Sequence, residues 1–272
     1  MKAIILNALI VVAAIFLITP QEIIALQPQP ETDSQQRNLD PEFQPEPGAY
    51  AYDVLWRGVR VGKASVSTTV EDDLYTVAVT AETHTKFNFL YKFRYQGEVS
   101  LKAPPVRPIE AKMTESGGKK EKTTTITFSE EDKATAVRVK KEPGKEKEVS
   151  TVSAESQSFL LDPFSVVFLV RHLDWHVGMA EIFDVFTGRK QYLLMLYCAE
   201  VRIKTINDEQ REAWVITPTT KEMGKPDAEE KSDFTLYLSK DEKKEILKIE
   251  GVPRIGRVEA IMRYFEPDSS GN

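Results

Sequence analysis

From residue 49 onward, hydrophobic and polar residues alternate along most of the chain. Tyr50, Tyr52 and Val54 occupy every second position, and Tyr75 and Val77 begin a similar run. This period of two is typical of antiparallel strands with one buried face. About ten or more such runs follow one another, which predicts a mainly β fold. We expect a single large curved antiparallel sheet or an open barrel.

The alternation is interrupted in the middle of the chain by a segment that is apolar on every side. It predicts a buried helix over residues 162–172, since a helix that is hydrophobic all round lies inside the protein. Asp162 is suited to cap its first turn, and Pro163 stands where a missing N–H costs nothing. We expect this helix to be the plug or lid of the barrel, with Phe164 and Phe168 facing its concave side.

Three smaller features modify the strand pattern. Gly62 interrupts one alternating run and predicts a β-bulge. Residues 86–93 are too aromatic for an exposed loop, which indicates a helical turn or a lid over one sheet edge. Residues 119–149 are highly charged but keep strand character, so we expect a long exposed ribbon with a solvated tip near Pro143 and Gly144. The alternative is a lysine-rich patch for anionic lipid headgroups, but interleaved glutamates nearly cancel its charge.

The N-terminus has the pattern of an export signal. Lys2 precedes an apolar run over residues 3–18, which is too short for a typical transmembrane helix. We predict a signal peptide over residues 1–25 and a periplasmic protein. The alternative is an uncleaved helix that anchors the protein to the inner membrane. Membrane contact is then expected through this segment only, before or without cleavage.

The remaining chain divides simply. Residues 26–48 are rich in Pro, Gln and acidic residues, and such a segment predicts a disordered linker because it lacks apolar surface to bury. Residues 49–266 form the predicted single β domain, and residues 267–272 a flexible tail.

Composition excludes some classes of function. The net charge is −6 and the pI is about 5.4, whereas nucleic-acid binders usually present a basic surface, so we expect no nucleic-acid partner. The single cysteine, Cys198, precludes an intrachain disulfide, and its apolar neighbours indicate a buried, inert thiol.

No pattern of catalytic residues is visible. His172 and His176 have the spacing of two zinc ligands on one helix face, but no third ligand lies near them in sequence. Both histidines also fit a helix end, where they complement the helix dipole. The sequence contains no Gly-x-Ser-x-Gly turn and no Walker phosphate loop. We therefore expect no enzyme, no metal and no cofactor.

Arg171 lies on the same stripe of the predicted helix as Phe164 and Phe168. One interpretation is that it anchors the helix through a bidentate pair with a strand carboxylate. The other is that it meets a ligand headgroup at the mouth of a cavity. Phe164, Phe168 and Arg171 are thus the candidate ligand-binding residues.

Four segments in order resemble one family of bacterial exported proteins, catalogued as domain of unknown function 3108. They are residues 56–64, residues 162–165 with Arg171, residues 185–192 and residues 251–258. The resemblance spans roughly residues 49–265. It implies a periplasmic, mostly antiparallel β protein and no settled activity. In shape, the predicted architecture is similar to the open-barrel lipoprotein carriers of the periplasm, although fold alone does not fix function.

Together these features favour a periplasmic binding or chaperone-like protein for an apolar ligand, such as a lipid, an acyl chain or a hydrophobic segment of an envelope protein. The alternative is a structural envelope factor that acts by protein contacts and has a sealed core. An enzyme is a distant third interpretation.

Overall fold

The computed structural model describes residues 43–87, 92–103, 106–156, 159–225, 232, 234–252 and 256–268. The predicted signal peptide, most of the linker and part of the aromatic stretch at residues 86–93 lie outside these ranges. In the described chain, no helix is both long and apolar enough to span a membrane. Phe43, within the predicted linker, packs edge-to-face on His172 at a ring distance of 5.0 Å. Packing thus begins before residue 49.

The described chain is dominated by one sheet of fifteen strands, which confirms the predicted fold class. The elements in chain order are β1 (Gly48–Trp56), β2 (Val59–Glu71), β3 (Leu74–Thr83), a 3-10 turn (Thr85–Phe87), β4 (Phe93–Lys102), β5 (Arg107–Gly117), β6 (Lys120–Phe128), β7 (Lys133–Lys141), β8 (Glu148–Glu155), β9 (Leu160–Leu161), α1 (Pro163–His172), β10 (Ala180–Phe186), β11 (Gln191–Ile206), β12 (Glu209–Glu222), β13 (Phe234–Ser239), β14 (Ile246–Gly251) and β15 (Val258–Pro267).

The chain traces the sheet as two meanders that meet in the middle. β1 to β8 run outward to one edge, and β9 to β15 start at the opposite edge and return until β15 pairs with β1. All neighbouring strands are antiparallel except the short β9–β10 pair. The step from β8 to β9 therefore carries the chain from one edge of the sheet directly to the other.

Contacts between these two edges nearly close the sheet into a barrel. Ser156 donates a hydrogen bond to Asp184 on β10, and the Gln191 amide donates to the carbonyl of Glu155 at 3.1 Å. The turn before β11 lies against β6, because a Cβ on Gly188 would meet the Thr124 side chain at 2.5 Å. With φ at +72°, Gly188 also adopts a backbone conformation that favours glycine.

The charged segment at residues 119–149 is not the exposed ribbon that was predicted. Its strands belong to the main sheet, and Thr124, Ile126 and Ala136 are buried on one face. They are covered because barrel closure brings the turn at Gly188 onto them. The tip at residues 143–144 is exposed, as expected.

The predicted bulge at Gly62 is confirmed. The pairing of β1 with β2 shifts between Val54, opposite Gly62, and Leu55, opposite Arg60, so that Val61 has no direct partner. Val61 and Gly62 are both buried. The bulge thus turns two successive residues of β2 inward, which bends the sheet at its centre.

Strands β11 and β12 form a long hairpin of 16 and 14 residues. A register shift at residues 198–200 bends the hairpin, and its tip reaches β15, where the Asn207 amide donates to the carbonyl of Arg263 at 2.6 Å. Ile206 at the end of β11 and Tyr237 on β13 are buried and belong to the main hydrophobic core. The tip of the hairpin thus connects β11 and β12 to β15, the neighbour of β1.

A charged group beside Tyr237 should make the stability of the protein depend on pH. Burial alone raises the pKa of Glu250, but the ammonium of Lys248 at 2.7 Å and the Tyr237 hydroxyl at 2.7 Å lower the pKa to about 2. Since the unfolded pKa is 4.5, Glu250 stabilises the fold above that pH and loses this contribution as pH falls from 4.5 to about 2.

We expect Glu250→Gln to flatten this part of the stability profile. Urea unfolding at about pH 5 and about pH 3 should show a smaller acid-induced loss for the variant than for the wild type. Glu110→Gln, an exposed position on β5, serves as the control. A variant that loses as much stability as the wild type over this interval would contradict the assignment.

Candidate functional site

Helix α1 begins at the cap that the sequence predicts. The Asp162 carboxylate accepts hydrogen bonds from the backbone N–H of Phe164 at 2.8 Å and of Ser165 at 3.2 Å, and the Ser165 hydroxyl donates to its second oxygen. Pro163 occupies the first turn, where no N–H is needed. Burial raises the pKa of Asp162, and the hydrogen bonds only partly oppose that rise. The cap is thus made entirely inside the protein.

Loss of this cap should destabilise the protein. Asp162→Ala leaves two buried N–H groups without an acceptor, and we expect a loss of about 2 kcal/mol in the free energy of unfolding, at the upper end for an N-cap. Asp162→Asn keeps an acceptor and should lose less. Chemical denaturation of the three proteins at neutral pH tests this, and equal stability of Asp162→Ala and wild type would refute the role of the cap.

Phe164 fills the barrel next to β4. The strand carries Gly97 at the point of contact, and a Cβ there would lie 2.1 Å from the end of the Phe164 ring. Phe164 is fully buried, and its ring centre is 6.2 Å from that of Tyr95. Glycine at this inward position therefore makes room for the helix.

Phe168 lies one turn further along α1. Its ring centre is 5.0 Å from Tyr75 on β3 and 4.3 Å from His172. The Nδ1 atom of His172 lies 2.9 Å from the carbonyl oxygen of Phe168. The two aromatic residues of the predicted site thus face the concave side, as expected, and protein atoms already surround them.

Arg171 joins α1 to two other parts of the barrel. Its guanidinium donates to the carbonyl of Lys244 at 2.9 Å, to the carbonyl of Lys243 at 3.0 Å and to the Tyr50 hydroxyl at 3.1 Å. The hydrogen-bond partners of Arg171 are thus two main-chain carbonyls and a hydroxyl, not the strand carboxylate that was predicted. Its role is still to anchor the helix. Arg171 holds the end of the helix against β1 and the turn between β13 and β14.

The free space beside these residues is small. A cavity of about 10 Å³ lies between Phe168 and Arg171, with Tyr50, Tyr52 and Val167 among its lining. That volume corresponds to about one water molecule. The structure therefore places the three predicted residues together on one helix, and the cavity described beside Phe168 and Arg171 is too small for an acyl chain; ligand binding by these residues stays a prediction.

The remaining candidate residues have structural surroundings. His176 is exposed, whereas His172 is buried against Phe168. Within the described ranges, no group of three or more His, Cys, Asp or Glu side chains is placed to hold a metal. Cys198 is buried, and burial raises the pKa of its thiol to about 11, which keeps the reactive thiolate scarce.

The structure also shows a groove that the sequence did not predict. It has a volume of about 630 Å³ and lies on the outer face of β15 and β1–β4. We call it the outer groove. Small side chains line its base, among them Ala51, Ser65 and Thr80, and the Ser65 and Thr80 hydroxyl oxygens are 2.8 Å apart. The charged residues around it are Asp53, Arg60, Lys63, Glu82, Arg94 and Arg263.

Ion pairs connect the charges of the outer groove. Asp53 pairs with Arg60 at 2.6 Å and with Arg263 at 3.4 Å. Glu82 pairs with Lys63 at 3.0 Å and with Arg94 at 3.2 Å, and the hydrogen bond from Lys63 is the main cause of its lowered pKa. Four cations share two carboxylates, so 4 − 2 leaves a local excess of two positive charges.

Sequence reasoning missed the groove because its residues come together only through strand register. Asp53 lies opposite Lys63, Lys63 opposite Glu82, and Glu82 opposite Arg94 across four strands. Each residue occupies an outward position of its own alternating run. Within any one strand, the sequence therefore shows a single outward charge, which does not indicate a groove. The pairing that aligns them in a row depends on the bulge and turns of the whole sheet.

A comparison with protein-family models identifies the family from the sequence. The model for proteins of unknown function DUF3108 matches residues 51–263, which is most of the chain. The protein belongs to the DUF3108 family. This confirms the resemblance drawn from residues 56–64 and the three later segments. No match was found among curated proteins.

The fold also has a solved counterpart. The DUF3108 protein resembles the crystal structure of a β-barrel-like protein of domain of unknown function DUF1849 from Brucella abortus, with a TM-score of 0.52 and 8% sequence identity. The similarity covers 83% of this chain and 99% of that one. At this identity the comparison shows a shared β-barrel-like fold and nothing about activity.

Proposed function

We propose that this DUF3108 protein is an exported, non-enzymatic factor of the bacterial envelope that binds on its outer surface and has a sealed core. The observation that carries the proposal is the contrast between two concave regions in the part of the chain that the structure describes. The space beside Phe168 holds about one water molecule, whereas the outer groove measures about 630 Å³. Pockets that bind small molecules usually measure about 300–1,000 Å³.

The chemistry of the interior supports a sealed core. In the described chain, no buried side-chain nitrogen or oxygen lacks a hydrogen-bond partner. Arg171, which is the interior cation nearest the cavity, donates to two main-chain carbonyls and to Tyr50. A ligand headgroup would have to displace these bonds, and breaking a hydrogen bond to a charged group costs about 1.5–3 kcal/mol.

The competing function is a carrier for an apolar ligand, which the aromatic interior and the barrel-like shape favour. A carrier needs room for an acyl chain, and in this fold that room is occupied by Phe164 and Phe168. The ligand would therefore enter only if α1 moved off β3 and β4. Such a movement would expose the fully buried Phe164 and break the contacts of Arg171.

Native mass spectrometry of the protein purified from its own host separates the two functions. The measured mass should equal that of the polypeptide alone, and organic extraction should release no stoichiometric lipid. A bound apolar mass that survives purification and disappears on extraction would overturn the sealed core and establish the carrier.

A further inference from the structure

The outer groove has the properties of a site for a doubly charged anion. We propose that it binds the phosphate or pyrophosphate group of a phosphorylated small molecule or lipid headgroup. This deepens the proposed function, because it names the ligand class of the outer surface and rests on that surface being the binding face.

The first argument is charge. Arg60, Lys63, Arg94 and Arg263 surround one groove, and two carboxylates compensate only half of their charge. The chain as a whole carries −6, so a local excess of +2 stands out from its surroundings. A phosphate carries a charge near −2 at neutral pH and would match this excess, whereas a single carboxylate would match half of it.

The second argument is access. The four cationic side chains are each more than half exposed, while Asp53 and Glu82 are the more buried partners. The carboxylates thus lie beneath the cations and hold them, and the outward N–H groups remain within reach of a ligand. A guanidinium has five donors in a planar fork, so an arginine paired with one carboxylate retains donors for a second oxyanion.

The third argument is rigidity. Asp53, Lys63, Glu82 and Arg94 lie in one row across β1–β4, in the interior of a continuous sheet. Arg263 is held from the other side, because its carbonyl accepts from the tip of the β11–β12 hairpin. Sites built on strands position ligand groups better than sites on loops. Little ordering is then required when an anion binds.

The groove also offers neutral contacts. Ser65 and Thr80 present hydroxyls on its base, Gln96 contributes an amide, and Tyr264 places an exposed ring at its side. Hydroxyls and amides hydrogen-bond sugar or glycerol oxygens, and an aromatic ring stacks on a sugar face. The charged side chains would bind the phosphate itself, and these neutral groups would add contacts to the polar moiety that carries it.

The test is calorimetric titration of the purified protein with inorganic pyrophosphate at low ionic strength, where surface charges are least screened. We expect saturable binding with one site per chain. The double variant Arg60→Gln with Arg94→Gln should weaken it at least tenfold. Arg202→Gln, an arginine of similar exposure that pairs with Glu200 outside the groove, should leave it unchanged.

A variant with the opposite expected effect guards against simple misfolding. Glu82→Gln removes one negative charge from the groove, and we expect it to tighten pyrophosphate binding about threefold.

Vesicles of phosphatidic acid in phosphatidylcholine form the second arm. Binding to these vesicles as well as to pyrophosphate indicates a lipid headgroup, and binding to pyrophosphate alone indicates a soluble phosphorylated ligand; both support the proposal.

Three results would overturn it: no saturable binding of pyrophosphate, equal weakening by Arg202→Gln, or binding of an acidic peptide in preference to pyrophosphate. None of these results bears on the proposal of a sealed core, which native mass spectrometry tests separately. Conversely, a resident lipid inside the barrel would overturn the proposed function whatever the groove binds.

Discussion

Phe164→Ala should destabilise the protein by about 4 kcal/mol, within the range of large-to-small substitutions of phenylalanine in a core. Phe164 is fully buried, and its ring occupies the space above Gly97 on β4. Its removal loses the buried area of the ring and leaves a cavity, because the backbones of α1 and β4 are both fixed by hydrogen bonds. Urea unfolding followed by far-UV circular dichroism measures the loss.

The matched control is Phe128→Ala. Phe128 is the last residue of β6 and is only partly buried. In the strand order, β6 is two strands away from β4, which contacts α1. We expect it to cost less than half as much as Phe164→Ala. If the two variants lose the same free energy of unfolding, Phe164 has no special part in filling the barrel.

Gly97→Val should cost about 3 kcal/mol, at the upper end for overpacking a core. The added Cβ would lie 2.1 Å from one Phe164 ring carbon and 2.7 Å from the next, so either the ring or the strand must move. The β-branched side chain is otherwise favourable in a strand, which makes a large loss specific to this contact. Thermal or urea unfolding reports it, and a neutral or stabilising effect would contradict the packing.

The two substitutions should also depend on one another. In the Phe164→Ala background the valine enters the space vacated by the ring, so Gly97→Val should cost less there than in the wild type. Residues in direct contact typically show coupling energies of about 0.5–3 kcal/mol. If the stability losses of the two substitutions are additive, Gly97 and Phe164 are not in contact, which would contradict the packing.

Local signals accounted for much of this fold. The cap at Asp162 involves residues within three positions of one another, so it could be predicted. The alternation in β1 and β3 involves side chains two positions apart, so it could be predicted too. The bulge at Gly62 was indicated for the same reason. The burial of one face of the charged strands β6–β8 was not predicted. The turn at Gly188 covers that face, but it is distant in sequence and contacts the strands only when the barrel closes.

The placement of the candidate residues followed from local spacing, whereas their role in ligand binding stays a prediction. Phe164, Phe168 and Arg171 lie on one helix facing inward, as their spacing requires. Whether the space they face was open depended on Gly97 and Tyr50, on strands far from α1 in sequence. The outer groove required the register of five strands, which no single alternating run contains.

The most direct test of the sealed core is a titration of lipid-free, refolded protein with a fluorescent apolar probe such as N-phenylnaphthylamine, alongside Phe164→Ala. We expect no saturable fluorescence increase for the wild type, since a cavity of about 10 Å³ admits no ring. Phe164→Ala frees no more than the volume of one phenyl ring, which is smaller than the probe, so this variant should show no saturable increase either. Saturable binding of one probe per wild-type chain, displaced by a fatty acid, would contradict the sealed core and make the protein a carrier.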